Sequence, residues 1–180
     1  MKATGIIRKI DDLGRVVIPK EIRKTLRIRE GDPMEIYVEK NGEIILKRYA
    51  PLGEIIDEIN SLAEVLTKSI GFSVYVTDSK KIIALASKKQ KHNLDRAITE
   101  ELLKLLEERT VVINKNIDSI IKITEKDDKQ TYVYQVISPI ISEGDIIGSI
   151  ILFPEGIKKS ITETDLKILE VATEFLSNQM

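Results

Sequence analysis

The first fifty residues are too short, and too poor in large apolar side chains, to build a core of their own. Residues 5–10, Gly5-Ile6-Ile7-Arg8-Lys9-Ile10, and residues 15–18, Arg15-Val16-Val17-Ile18, read as strands. Between them Asp11-Asp12-Leu13-Gly14 supplies a turn, since Asp can bond its own backbone and Gly takes positive φ freely. Pro19 stops the second strand and suits the first turn of a helix, where its missing N–H would have no partner anyway. That helix is short, residues 20–27, with Ile22 and Leu26 on one face at i, i+4. Residues 30–33 break it, and 34–38 and 43–47 alternate about Asn41-Gly42, a β-hairpin signal. Units this small usually need disulfides, a metal or another chain to be stable. The chain has no Cys and one His, which removes the first two. Association is left, and the expectation is an obligate homodimer whose strands interleave with those of a partner.

The whole chain has 180 residues, room for one ordinary domain or two small ones. Its hydrophobic fraction of 42% and net charge of -1 do not fit a disordered chain. No run approaches the roughly 18 apolar residues of a membrane span. The first fifteen residues carry a charge every few positions, where a signal peptide would need an unbroken apolar stretch. With Cys absent, a cytoplasmic protein without membrane contact is expected.

The small net charge hides an asymmetry. Residues 1–50 hold 12 Lys+Arg against 8 Asp+Glu, and residues 51–180 hold 16 against 21. Seven basic and three acidic residues fall in the first 24. A basic head on an acidic body points the head toward a polyanion, most often nucleic acid. No aromatic residue precedes Tyr37, so stacking on single-stranded bases is disfavoured and duplex DNA is the expected partner.

The segment from Gly5 to Lys47, above all Asp12-Leu13-Gly14-Arg15-Val16-Val17-Ile18-Pro19-Lys20-Glu21-Ile22-Arg23-Lys24, closely resembles the AbrB family of bacterial transition-state regulators. The resemblance implies a swapped-hairpin fold in which two chains form one DNA-binding unit. It places DNA-contacting arginines at Arg8, Arg15 and Arg23, with Lys24 standing where the family carries a further arginine. Lys9 joins them as a more doubtful contact, as do Lys2 and Lys20. Arg can fork bidentately onto guanine or phosphate while Lys acts as a point charge, so Lys24 weakens the case for a fixed base contact there. For Arg15 and Arg23 the competing reading is a surface ion pair with Asp11, Asp12 or Glu21. MazE-type antitoxins use a similar strand–helix unit ahead of a disordered toxin-binding tail; residues 51–180 look globular instead.

Pro51 and Gly53 mark a short boundary, giving domains 1–50 and 51–180. In the second, residues 54–70 read as a helix with Ile55, Ile59, Leu62 and Leu66 on one seam. Gly71 ends it. Strands are expected at 73–77, 82–86, 111–113, 120–123, 132–138 and 146–153, and a second helix at 94–108. A last helix starts at Thr162, with Asp165 placed for a capping box, and runs toward Met180. Its apolar set is wider than one stripe, as for a helix that also meets another helix. The result is an α+β protein: a swapped-hairpin head and an α/β body. Ser138-Pro139-Ile140-Ile141-Ser142-Glu143-Gly144-Asp145-Ile146-Ile147-Gly148-Ser149-Ile150-Ile151-Leu152 resembles the late strands of a GAF domain.

A swapped-hairpin head followed by a GAF-like body is similar to regulators of gene expression in developing spores. The resemblance implies a nucleoid-associated transcription regulator, both activator and repressor, assembled as a homotetramer. Many GAF domains bind small molecules, so two readings stay open for the body: sensing of an unidentified ligand, or oligomerisation alone. No cofactor or metal is expected. His92 lies in a polar loop, and Asp127-Asp128 in a charged turn is too short a ladder of oxygens for calcium. Tyr132 and Tyr134, with Phe72 and Tyr75, line either a pocket or, the better reading, the core. No phosphate loop, nucleophile elbow or metal-ligand cluster is present, so catalysis is not expected.

Overall fold

The computed structural model describes residues 5–26, 28, 30–87, 93–126, 134–154 and 160–179. The chain divides into two units, Met1–Tyr49 and Ala50–Met180.

Two turns of the same construction frame the first unit. Asp11 N–H donates to Arg15 O at 3.1 Å and Gly14 N–H to Asp11 O at 3.1 Å; Glu39 N–H donates to Glu43 O at 2.9 Å and Gly42 N–H to Glu39 O at 3.0 Å. Gly14 at φ +76° and Gly42 at φ +83° fill the left-handed position that ends a three-residue hairpin loop. On either side of the second turn, β1 (Met34–Val38) pairs antiparallel with β2 (Ile44–Arg48), setting Ile36 opposite Leu46 and Val38 opposite Ile44. The first turn has no such hairpin behind it. Residues 6–10 and 15–18, expected as strands, belong to no sheet. A strand is defined by a neighbour that takes its N–H and C=O groups, and among the described residues of the first unit only β1 and β2 pair in a sheet. After Pro19 comes α1 (Lys20–Leu26), as expected, with Arg23 N–H donating to Pro19 O at 3.0 Å.

Among its described residues the first unit buries no apolar side chain. Ile7 is 85% exposed, Leu13 70% and Val38 75%, and the directly opposed Ile36, Leu46, Val38 and Ile44 make one uncovered apolar face.

The second unit begins with a 3-10 turn, Pro51–Gly53, whose Pro51 and Leu52 are buried, so the short boundary expected there already belongs to the body's core. Next are α2 (Ile56–Ile70), β3 (Phe72–Asp78), β4 (Ile82–Ala86), α3 (Glu100–Leu106), β5 (Val112–Asn114), β6 (Gln135–Ser142), β7 (Asp145–Pro154) and α4 (Glu163–Ser177). The strands form one antiparallel sheet in the order β4-β3-β7-β6-β5. Ile59, Ala63, Leu66 and Ile70 of α2 and Leu169, Ala172 and Leu176 of α4 cover one face; Leu102 and Leu106 of α3, with Ile123, cover the other. The expected seam of α2 is therefore rotated: Ile59 and Leu66 are buried, while Ile55 and Leu62 are half-buried. At Gly148, opposite Asp78, an added Cβ would collide with the carbonyl oxygen of Thr77 and a methyl of Leu52. β3 and β7 can lie this close only without a side chain there.

Two expectations for the body need correction. The helix expected over 94–108 is confined to Glu100–Leu106. Thr99 caps it by accepting Leu102 N–H at 3.2 Å, and Asp95 takes φ +62°, so the preceding residues run as a loop bridged to Lys81 and Thr124. The strand expected over 120–123 does not form. Instead the fully buried Gln135 side chain stands in for a neighbouring peptide: Ile121 N–H donates to Oε1 at 3.2 Å and Nε2–H donates to Ile121 O at 3.1 Å. Of the strand expected over 132–138, the structure forms Gln135 onward and carries it through Pro139 to Ser142.

Candidate nucleic-acid interface

Arg15 closes the first turn, and Asp11 organises it. Asp11 Oδ1 accepts the N–H of Leu13 at 3.0 Å and of Arg15 at 2.7 Å, while Oδ2 accepts Nε–H of Arg15 at 2.8 Å. The backbone N–H of Arg15, and then its guanidinium, hold the Asp11 carboxyl below the usual carboxylate range. The ion pair weighed against DNA contact for Arg15 thus forms, and the Arg15 side chain remains 69% exposed. Arg8 and Lys9 lie exposed on the limb before the turn, and Arg8 Nη1 donates to Ile7 O at 3.2 Å.

Arg23 and Lys24 occupy the last turn of α1. Lys24 is exposed, whereas Arg23 is half-buried, its Nε closed off from water with no hydrogen-bond partner among the described residues. A buried donor in that state calls for a neighbour. The candidate contacts are therefore gathered on two places, Arg8, Lys9 and Arg15 on the two limbs of one turn, and Arg23 and Lys24 on one short helix. In sequence Asp11 was legible as turn chemistry and as one of three partners for an arginine ion pair; that one oxygen holds the turn while the other takes Nε of Arg15 needed the fold.

In the body the three described aromatics of that set, Phe72, Tyr75 and Tyr134, do not share a site. Phe72 and Tyr134 pack in the core under α2 and α4, while Tyr75 lies on the opposite face, edge-on to Phe153 with ring centroids 5.1 Å apart. Burial raises the Tyr134 phenol above its ordinary value. Tyr132, His92, Asp127 and Asp128 lie outside the described residues. Among the described residues no group of three or more His, Cys, Asp or Glu could hold a metal, and no helix is long and apolar enough to cross a membrane. On the outer side of α2 and α4 a groove of about 500 Å³ is lined by Asp57, Glu58, Ser61, Leu62, Val65 and Phe175. Near it on α4, Val171 is exposed as well.

Cationic side chains are concentrated on a small unit that leaves its apolar residues uncovered, and a larger α+β unit follows it. The class so defined is a DNA-binding transcription regulator. Comparison with known proteins agrees. Residues 54–180 match the family described as stage V sporulation protein T C-terminal, transcription factor. Residues 7–53 match the family described as antidote-toxin recognition MazE, bacterial antitoxin. Stage V sporulation protein T of Bacillus subtilis (strain 168) is 42% identical over 181 residues, covering 100% of this chain and 99% of that protein. The transition state regulatory protein AbrB of the same organism is 54% identical over 69 residues, 35% of this chain and 71% of that one. Among solved structures, the cofactor binding GAF domain of the nutrient sensor CodY from Clostridium difficile superposes with a TM-score of 0.53 at 19% identity, covering 66% of this chain and 81% of that one. The chain belongs to the stage V sporulation protein T family of transcription factors, with an AbrB-like N-terminal domain and a GAF-like C-terminal domain.

Proposed function

We propose that residues 1–50 read duplex DNA as an intertwined homodimer, with Arg8, Arg15, Arg23, Lys24 and Lys9 facing the duplex. Residues 51–180 then pair these dimers into a homotetramer that holds two DNA segments, activating some promoters and repressing others at the nucleoid in the cytoplasm. The observation that carries this reading is the first unit's uncovered apolar set: Ile7, Val17, Ile36, Val38 and Ile44 are each more exposed than buried in one chain. Exposed apolar surface on this scale for so small a unit is an interface. Two chains that cover it bring two sets of the same cations together. The groove between α2 and α4, with Val65, Val171 and Phe175 at its surface, supports pairing of the bodies. A ligand in the body would regulate the heads only by favouring one arrangement of the paired bodies over another. The chain acts in this reading as a regulator, not an enzyme.

The test is duplex binding by the full chain and by Arg15→Ala/Arg23→Ala across a salt series. Each neutralised phosphate contributes about −0.9 to the slope of log K against log[salt], so two arginines lost from each of two chains flatten it by about 3 to 4. Unchanged binding by a folded double variant would move the contact surface elsewhere. If the parent bound no duplex, the MazE-like match over residues 7–53 would put an antitoxin-like protein binder ahead.

A further inference from the structure

We propose that Asp11 is a positioning residue for DNA recognition, its carboxylate holding the Arg15 guanidinium so that its outer nitrogens meet the duplex in one orientation. The inference rests on Arg15 contacting DNA as proposed above. A carboxylate beside a surface that meets phosphates is repulsive, so its presence needs a compensating use. Turn formation alone does not supply one, because the two backbone N–H groups of Leu13 and Arg15 bind a single oxygen, Oδ1, and the amide oxygen of Asn could accept both. The second oxygen is spent on Nε of Arg15 at 2.8 Å. Only a carboxylate can accept with both oxygens, and the bonds from the backbone and guanidinium of Arg15 favour its charged form.

The guanidinium has five N–H donors, one on Nε and four on the two terminal nitrogens. Fixing Nε pre-orders a side chain that would otherwise lose its rotamer freedom on binding, and leaves the terminal pair for an end-on, two-bond contact with a guanine edge or a phosphate. The paired carboxylate also offsets the charge of Arg15, which weakens its attraction to phosphates of any sequence. Both effects favour discrimination over bulk affinity.

Asp11→Asn separates the two uses, since it keeps the turn's acceptor and loses the partner of Nε. Binding of the full-length protein is measured on a duplex selected by the parent from a random-sequence pool and on its scrambled counterpart, with Arg15→Ala and the double variant completing the cycle. The expected result is a loss of about fivefold or more on the selected duplex, the low end of a bidentate base contact. Binding to the scrambled duplex stays the same or tightens, and Asp11→Asn costs nothing further when Arg15 is already Ala. Tighter binding to both duplexes would make Asp11 a mere like charge and overturn the proposal, as would an equal loss with and without Arg15. If Arg15→Ala itself bound the selected duplex as well as the parent, the reading of Arg15 would fall first. A readout needing no variant is the Nε–H resonance of Arg15 in the parent's complex with the selected duplex. It stays protected from exchange if Asp11 keeps its hold, and release on binding would overturn the proposal even if Asn at position 11 loosened the turn.

Discussion

Gly148 shows how much one missing side chain settles in the body. It faces Asp78 across the β3–β7 ladder, and the space a Cβ would need is taken by the Thr77 carbonyl and by Leu52. Leu52 is fully buried although it lies only three residues past Tyr49, where the first unit ends. Gly148 thus lets the start of the body's chain pack against its central strand. Gly148→Ala is expected to cost about 1–3 kcal/mol by overpacking, read as a lower urea midpoint of the full chain. Ser149→Ala beside it adds no clash but takes from the buried Thr77 hydroxyl its partner at 2.7 Å, so a loss of similar size, about 1–3 kcal/mol, is expected from a different cause. An unchanged midpoint for Gly148→Ala would show that β7 can shift away from β3 at no cost. In sequence this glycine is one residue inside an apolar run, and Leu52 as the group that approaches it is visible only in the fold.

At the scale of elements, the clearest signals were those carried by near neighbours. Thr162 accepts Asp165 N–H at 3.2 Å and Asp165 accepts Thr162 N–H at 2.9 Å, the reciprocal capping expected from their spacing, and α4 starts there. Gly71 at φ +69° ends α2, its N–H donating to Thr67 O. Short apolar runs were less legible, because β propensity says that a segment suits a sheet and not whether a strand is available beside it. Residues 120–123 show the difference. Their apolar side chains Ile120 and Ile123 are buried as a strand's would be, yet the backbone is held by the Gln135 amide, which also accepts Asn114 Nδ2–H at 3.1 Å. Gln135→Leu keeps the volume roughly and removes these bonds together. The expected loss is about 1–3 kcal/mol for the buried groups left unpaired, with faster amide exchange at Ile121 as the local signature. Exchange at Ile121 as slow as in the parent would mean that packing alone orders the segment.

For the molecule as a whole, the two units end in different kinds of unfinished surface. The first has no buried apolar residue among those described, so folding and association cannot be separated there. The second has a complete core on both faces of its sheet and still leaves Val65, Val171 and Phe175 exposed on α2 and α4. Charge placed on that surface should therefore break assembly without unfolding the body. If the bodies pair as proposed, Val171→Glu/Phe175→Glu halves the sedimenting mass, from tetramer to dimer, with the thermal transition of the body kept. Binding to a duplex with two sites should weaken by roughly a hundredfold through lost avidity, while binding to a single site stays as it was. A mass unchanged by the two glutamates would place the contact between dimers elsewhere.

What the amino-acid order determined by itself is local in physical origin. Gly14 and Gly42 supply positive φ, Pro19 opens α1, Thr162 caps α4, and the basic residues cluster in the first quarter of the chain. Each of these acts over a few bonds, or through charge that needs no particular partner. The tertiary structure decided everything that depends on a distant neighbour. It divided Tyr75 from Phe72 and Tyr134 across the sheet, shortened the helix of residues 94–108 to Glu100–Leu106, gave Gln135 the work of a strand, and left residues 6–10 and 15–18 without a ladder inside their own chain. Long-range pairing follows from which surfaces meet when the chain collapses, and no fixed spacing along the sequence records it.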